Sequence, residues 1–276
     1  MKRILLTGAT GTLGTALRPR LREKGHTVRA ASRSPPEAGE DDGEAVEWVE
    51  LDLEAGQGIE RAVEEVDVIV HAASDAVGDS EAVDVRGTER LLEAAESTGV
   101  EHVVYISIVG IDEIPYSYYE HKLAAEEAIE ASAVPETILR TTQFHQFIDQ
   151  LLGMVAWSPV WLLPTDFQVQ PIDAHEVADR LAELADGEPL GMVSPMGGPE
   201  VKTGRELVDA YREARDLRRL VFRLPVPGTA AKGFRAGRNT CPDHAVGSVT
   251  WESWLSEEYG HATDSPTTPS TGSPSS

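Results

Sequence analysis

The sequence predicts an α/β fold, a doubly wound parallel sheet followed by a small C-terminal part, and three observations carry that expectation. Short apolar runs alternate with helical stretches as far as Arg140. A glycine-rich turn, TGATGTLG, joins the first strand to the first helix. The 276 residues, 41% of them hydrophobic, suffice to fill one large core of this kind.

Residues 4–6 form the first strand, ending at Thr7-Gly8, and residues 12–24 a helix that Gly25 stops. Residues 27–31 and 46–51 read as the second and third strands, with an acidic Pro/Gly loop over 35–44 between them. A short helix over 59–66 precedes a buried strand over 68–72. Residues 81–98 set Val83, Leu91, Leu92 and Ala95 on one helical face, closed by Gly99, ahead of a fifth strand over 102–108. Ser117 with Glu120 has the capping-box pattern, which predicts a helix to about Ser132; Pro135 forces the exit, and 137–140 make a sixth strand. Strands that return through covering helices pair in parallel.

Beyond Thr141 the alternation is less regular. A helix is expected over 144–154, a Trp/Pro-rich apolar loop over 156–164, and two helices opened by Asp173 with Glu176 and by Thr203 with Glu206, the second running to about Asp216. Residues 1–256 thus read as one domain in which about 142–256 supply the substrate-side walls, and 261–276 as a disordered Ser/Thr/Pro tail.

The 47 acidic against 24 basic residues give a formal charge of -23, which repels nucleic-acid phosphates and anionic lipid and excludes both as partners. The acid is spread along the chain, and Lys is scarce beside Arg, which suggests a halophilic surface. Cys241 is the single cysteine, so an internal disulfide is excluded. No Cys/His/acid cluster has ligand spacing, so no metal is expected. The N-terminus lacks signal-peptide features and no apolar stretch reaches membrane-spanning length, which leads us to expect a cytoplasmic protein, monomer or homodimer, acting on a small molecule.

The chemistry begins at the glycine turn. Gly8 permits the tight turn, Gly11 lets the backbone approach a pyrophosphate, and Gly14 lets helix and strand pack closely. The helix N-terminus then offers unpaired N–H groups to phosphate. Strand, glycine turn and helix in this order are the Rossmann context for a dinucleotide. The second strand ends in Ala30-Ala31-Ser32-Arg33, without the acid that would hold the ribose hydroxyls of NAD. A hydroxyl and a guanidinium suit a 2′-phosphate, so NADP(H) is preferred over NAD(H), although Arg33 is equally compatible with a solvated loop. Asp52 stands where a carboxylate accepts from the adenine amino group, or is a plain loop acid.

Tyr118 and Lys122 stand four apart at the start of a helix and project from one face, with Tyr119 the poorer match. A nearby ammonium favours the phenolate, so Lys122 is expected to lower the Tyr118 pKa and make it a proton carrier beside a nicotinamide ring. Ser107, ending the fifth strand, is placed to orient a substrate carbonyl. The segment Thr141, Thr142, Gln143, Phe144, His145 follows the sixth strand and should face the nicotinamide half, with Phe144, Phe147, Trp157 and Trp161 as a candidate apolar wall and His145 as a second proton carrier or a structural histidine.

With these residues named, the chain resembles the NmrA-like group of atypical short-chain dehydrogenases. The resemblance lies in TGATGTLG, VYISIVGID, YSYYEHKLAAEEAIEAS, ETILRTTQFH, QPIDAHEVAD, FRAGRN and TWESWL, and covers roughly residues 1–256. It implies NAD(P)(H) lined by Gly8, Thr10, Gly11, Thr12, Leu13, Arg33, Asp52, Leu53 and Ala72, Ala73, Ser74. It also implies a triad of Ser107, Tyr118 and Lys122, with Lys122 holding the nicotinamide ribose. Substrate contacts are expected from Gln143, Phe144, His145 and Trp157. Members of the group include reductases of quinones or small carbonyls and regulators that bind dinucleotide without catalysis; the regulators commonly lack the tyrosine. Where related enzymes often carry an asparagine that supports proton relay, this chain has Asp84. Three functions follow: an NADPH-dependent oxidoreductase, a dinucleotide-sensing or assembly protein, and a sugar-nucleotide epimerase or dehydratase whose diphosphate would be held by Arg218, Arg219, Arg235 and Arg238.

Overall fold

The computed structural model describes residues 1–36 and 46–260. Most of the expected acidic loop over 35–44 and the whole expected tail over 261–276 lie outside the described residues. The chain begins β1 (Arg3–Thr7), α1 (Thr12–Glu23), β2 (Thr27–Ser32), β3 (Glu47–Glu50), α2 (Ile59–Val63) and β4 (Val68–His71). A π-helical turn, Glu81–Arg86, runs straight into α3 (Gly87–Thr98), followed by β5 (His102–Ile108), α4 (Ser117–Ala131) and β6 (Glu136–Thr141). Next come α5 (His145–Val155), β7 (Val160–Leu163), β8 (Gln168–Val169), α6 (Ala174–Asp186), β9 (Gly191–Met192) and β10 (Lys202–Thr203). The last elements are α7 (Gly204–Ala214), β11 (Leu220–Arg223), α8 (Thr229–Arg235) and α9 (Trp251–Gly260).

Seven strands make one parallel sheet in the order β3-β2-β1-β4-β5-β6-β9, with Leu5 of β1 opposite Arg29 on one side and Ile69 on the other. Ile4, Leu5 and Leu6 are all fully buried, because a sheet covered on both faces has no solvent side to alternate toward. On one face α1, through Leu13, Ala16, Leu17 and Leu21, packs with α6. On the other, Ile59 and Ala62 of α2, Leu91 and Ala95 of α3, and Ala125 and Ile129 of α4 share a second cluster. The chain leaves β1 toward β2 on one side and later toward β4 on the other, so a crevice opens at the carboxyl ends of these strands, the switch point of the fold.

From α5 onward a third core forms around Trp161, Tyr211, Trp251 and Trp254. Here the structure differs from expectation. Residues 160–163 are a strand and not a loop: β7 pairs in parallel with β11, placing Trp161 inward while Val160 and Leu162 stay exposed. An all-apolar strand masks the in-out alternation by which a strand is recognised. Ser117 does not cap α4; Tyr116 is the cap residue and makes no side-chain cap bond. Asp173 does cap α6, accepting from His175 N at 2.7 Å, while Glu176 is drawn away to Ser248. Thr203 and Glu206 form the full reciprocal box at α7.

Candidate active site and dinucleotide cleft

A cleft of about 530 Å³ opens at the carboxyl ends of β1, β2 and β4. Gly8, Thr10, Gly11, Arg33, Asp52, Leu53, Ala72, Ala73 and Ser74, all expected here, line it. Gly8 has φ +68°, and a Cβ there would fall 2.7 Å from the Ala72 carbonyl oxygen. The turn therefore needs glycine both for its conformation and for its closeness to β4. At Gly14 a Cβ would meet the Gly8 oxygen at 2.2 Å, so this glycine lets α1 rise directly from the turn. Thr12, Leu13 and Gly14 form the first turn of α1 beside the cleft and do not line it; Leu13 is buried in the core. Their contribution is backbone N–H. The N-cap of α1 is Gly11, with no side-chain cap bond and no acid in the first turn, so the orphan donors and the positive helix end face the cleft uncompensated. This arrangement fits a pyrophosphate.

At the end of β2, Arg33 is exposed and in no ion pair among the described residues, and Ser32 Oγ accepts from Ser34 N at 3.2 Å. Asp52, just past the neighbouring strand β3, also lines the cleft, its Oδ1 accepting from Ala55 N at 3.0 Å. Thr7 at the floor was no part of the expected site, and neither were Ser34, Glu54, Asp75 and Val83. Thr7 starts a polarised chain of hydrogen bonds. Its Oγ1 accepts from the amides of Ala72 and Ala73, so its proton goes to His71 Nδ1 at 2.7 Å. His71 Nε2 then donates to Thr88 Oγ1 at 2.9 Å, and Thr88 donates to the Asp84 carbonyl at 2.6 Å. The imidazole is thereby held neutral, its pKa pushed down to about 3 by burial and by the Lys122 charge.

The second centre is where α4 meets the cleft. Ser74 Oγ donates to Asp84 Oδ1 at 2.6 Å, since a carboxylate only accepts. The contact between Ser74 Oγ and Tyr118 Oη, at 2.8 Å, then has the phenol as its donor. Lys122 lies buried with Nζ 3.6 Å from Asp84 Oδ1, 3.1 Å from the Ile106 carbonyl and 4.1 Å from the centre of the Tyr105 ring. The Tyr118 pKa is accordingly raised, first by burial and then by Asp84, the reverse of the expected lowering. The ammonium that was to favour the phenolate is engaged by Asp84, whose own negative charge opposes it. Burial also pushes the Lys122 pKa down, with Asp84 and Glu126 opposing that shift. Ser107 is buried behind this centre, and its Oγ has no hydrogen-bond partner among the described residues.

The expected apolar wall is dispersed. Trp161 is fully buried in the third core, and Phe144 packs against the α1–α6 side of the sheet. Phe147 is exposed on α5, and Trp157 is 83% exposed with its indole N–H donating to the Met154 carbonyl. His145 is fully buried, stacked against Trp251 and Trp254 with Nε2 on the Val249 carbonyl, and burial lowers its pKa; it is a structural histidine. Gln143 Nε2 donates to the Tyr119 hydroxyl at 3.3 Å and its Oε1 accepts from Asn239 at 3.3 Å. The aromatic side chains beside Tyr118 are Tyr116, Tyr119 and Phe234. Their spacing in sequence, two chain segments far apart, carried no signal. Three of the four arginines expected to hold a diphosphate are otherwise employed: Arg235 pairs with Asp166 at 2.5 Å, Arg238 with Glu113 at 3.7 Å, and Arg219 donates to the Ala156 carbonyl.

A family model described as NAD(P)H-binding matches residues 8–186. The chain belongs to the NAD(P)H-binding family. The chain is 29% identical over 213 residues to a (4-alkanoyl-5-oxo-2,5-dihydrofuran-3-yl)methyl phosphate reductase of Streptomyces griseus, covering 74% of this chain and 70% of the relative. It is 27% identical over 221 residues to the chloroplastic divinyl chlorophyllide a 8-vinyl-reductase of Zea mays, covering 71% of this chain and 55% of the relative, so it spans about half that protein. In structure it resembles an NADPH-dependent quinone oxidoreductase of Escherichia coli complexed with NADPH, with a TM-score of 0.76 at 16% identity over 93% of this chain and 99% of that one; the likeness is one of fold. Among the described residues no helix is long and apolar enough to cross a membrane.

Proposed function

We propose that this member of the NAD(P)H-binding family is an NADPH-dependent reductase of a quinone or small carbonyl, with Tyr118 as proton donor. The observation that carries the reading is the 2.8 Å contact between Tyr118 Oη and Ser74, a residue that lines the cleft. A protonated phenol stands there at the edge of the space a dinucleotide fills. Arg33, in no ion pair among the described residues and beside Ser32 and Ser34, supports NADP over NAD, because a guanidinium and two hydroxyls match a 2′-phosphate and β2 itself ends without an acid.

When bound, the reduced nicotinamide supplies a hydride; the acceptor then needs one proton to become a hydroquinone or an alcohol. Tyr118 holds that proton in a hydrogen bond to Ser74 and releases it to an acceptor oxygen that displaces the serine. Lys122 is linked to Tyr118 through Asp84 and Ser74. Ser107 Oγ, buried and without a hydrogen-bond partner among the described residues, would be satisfied by an acceptor oxygen reaching it. We assign residues 1–256 to one domain with the substrate entering from the 142–256 side, and the acid-rich composition supports a high-salt cytoplasm as its setting.

A second reading, a dinucleotide sensor, is favoured by the engagement of Lys122 with Asp84 and the raised Tyr118 pKa. One experiment separates the two. Binding of NADPH and NADH is titrated by nucleotide fluorescence, and quinones and aldehydes are screened for oxidation of the bound cofactor. Tyr118→Phe is expected to bind NADPH as wild type does and to lose about 100-fold or more in kcat. Binding without turnover on any acceptor would establish the sensor, and full turnover by Tyr118→Phe would remove the proton donor from the mechanism.

A further inference from the structure

Beside Tyr118 the protein holds an aromatic surface whose geometry goes beyond what proton transfer requires. Tyr116 is 44% exposed, although its ring lies edge-on to three others, with centroids 6.4 Å from Tyr118, 5.6 Å from Tyr119 and 6.4 Å from Phe234. Phe234 in turn meets Tyr119 edge-on at 5.8 Å and stacks on Phe167 at 5.3 Å with 17° between the planes. Tyr119 is pinned through its hydroxyl by Gln143. The rings behind Tyr116 are therefore fixed, and Tyr116 presents open aromatic surface above them.

Two glycines create this cluster from distant parts of the chain. Gly110 has φ +83°, and a Cβ there would fall 2.1 Å from the Arg238 carbonyl oxygen. At Gly233, in α8, a Cβ would meet Ile114 Cγ1 at 2.8 Å. With both side chains reduced to hydrogen, α8 and the residues that follow it lie directly against the segment between β5 and α4. Phe234 is thereby pressed onto Tyr119 and Tyr116. The close approach joins α8 to a small core of Ile111, Ile114 and Tyr119, against which Tyr118 and Phe234 also pack.

We propose that Tyr116 and Phe234 are the seat for the acceptor's ring and set a preference for planar conjugated acceptors over aliphatic carbonyls. The proposal rests on the reading of Tyr118 as proton donor. Exposed aromatic surface is poorly hydrated, and a flat ring laid on it removes that surface from water while aligning its electron-poor face with an electron-rich phenol. An acceptor lying against Tyr116 is one ring away from Tyr118, so the same contact that binds the ring presents its oxygen to the phenol. A short aliphatic aldehyde covers little of Tyr116 and gains little from it.

The test uses 1,4-naphthoquinone and butanal as acceptors with NADPH, and binding of naphthoquinone to the NADP⁺ complex by quenching of protein fluorescence, where no turnover occurs. Tyr116→Ala is expected to raise both KM and Kd for naphthoquinone about tenfold. Kd for NADPH and kcat/KM for butanal should stay within twofold of wild type, and Tyr116→Phe should restore the naphthoquinone values. Phe234→Leu gives a second, apolar variant expected to act in the same direction. Unchanged naphthoquinone Kd and KM in Tyr116→Ala, or an equal loss with butanal, would overturn the seat. If instead Tyr118→Phe turns over normally, or no acceptor is reduced at all, the reading of Tyr118 fails, while the quenching titration still decides whether Tyr116 binds the ring.

Discussion

Asp84 determines how the side chains of the candidate site are set. Its carboxylate accepts from Ser74 Oγ and from the Asp75 amide and faces the Lys122 ammonium, so one buried acid orients Lys122 and the serine that Tyr118 contacts. The four-residue spacing of Tyr118 and Lys122 was legible in the sequence; the link between them through Ser74 and Asp84 was not, because those residues arrive on other elements and a helix wheel shows only its own neighbours. Gly8, Gly11 and Gly14 were legible for the opposite reason, since each acts through backbone in one continuous turn. Arg33 stands between these cases: its type was readable, and its exposure in no ion pair among the described residues was not. Its exposure makes it a clean probe. Arg33→Ala is expected to weaken NADPH at least about tenfold, the loss of a charge-assisted contact, and to leave NADH unchanged. Equal weakening of both nucleotides in the fluorescence titration would show that Arg33 does not read the 2′-phosphate.

Between elements, the strongest tie at the cleft is the hydrogen-bond chain from Thr7 in β1 through His71 in β4 to Thr88 in α3. Its direction requires a neutral imidazole, and this has a consequence for stability. The His71 pKa falls from its ordinary 6.5 to about 3 on folding, chiefly by burial. His102, hydrogen-bonded to Thr137 across β5 and β6, falls from 6.5 to about 4 for the same reason. Between those values the unfolded chain binds protons that the native chain refuses, so stability is full above pH 6.5 and is lost as the pH falls through the window. Each histidine contributes a slope of up to about 1.4 kcal/mol per pH unit. Urea midpoints measured at pH 7, 6 and 5 are therefore expected to fall by the equivalent of about 2–3 kcal/mol over the last unit, with carboxylates still largely ionised. A flat profile from pH 7 to 5 would contradict the neutral histidine. Elements differed in legibility for physical reasons as well. The sheet strands β1, β2 and β5 were readable because helices alternate with them, whereas β7 and β11 form a two-stranded annex whose pairing spans sixty residues and leaves no local pattern.

Over the whole molecule the governing quantity is a formal charge of -23, unevenly distributed. Residues 205–238 hold nine Lys and Arg against four Asp and Glu, so the acid is concentrated in the remainder, including the half that builds the cleft. Several of these cations are consumed internally: Arg235 and Arg223 share Asp166, and Arg205 and Arg212 flank Asp209. They do not offset the field over the sheet. Like charges packed on a compact body repel, and the unfolded chain relieves that repulsion by spreading them apart, so low ionic strength favours unfolding. Salt shortens the range of the repulsion from about 10 Å at 0.1 M to about 3 Å at 1 M. The surface ion pairs weaken under the same screening, but each contributes no more than about 1 kcal/mol and the repulsion is summed over every acid. The net effect of salt is thus expected to be stabilising. In scanning calorimetry Tm should rise steadily between 0.1 and 1 M KCl, at about 2–4 °C for each kcal/mol of repulsion removed. Potassium chloride is the right salt because sulfate would stabilise any protein by exclusion from its surface. A Tm that is constant or falls over this range would mean that the acids are held too far apart to repel, and would remove the argument for a high-salt setting.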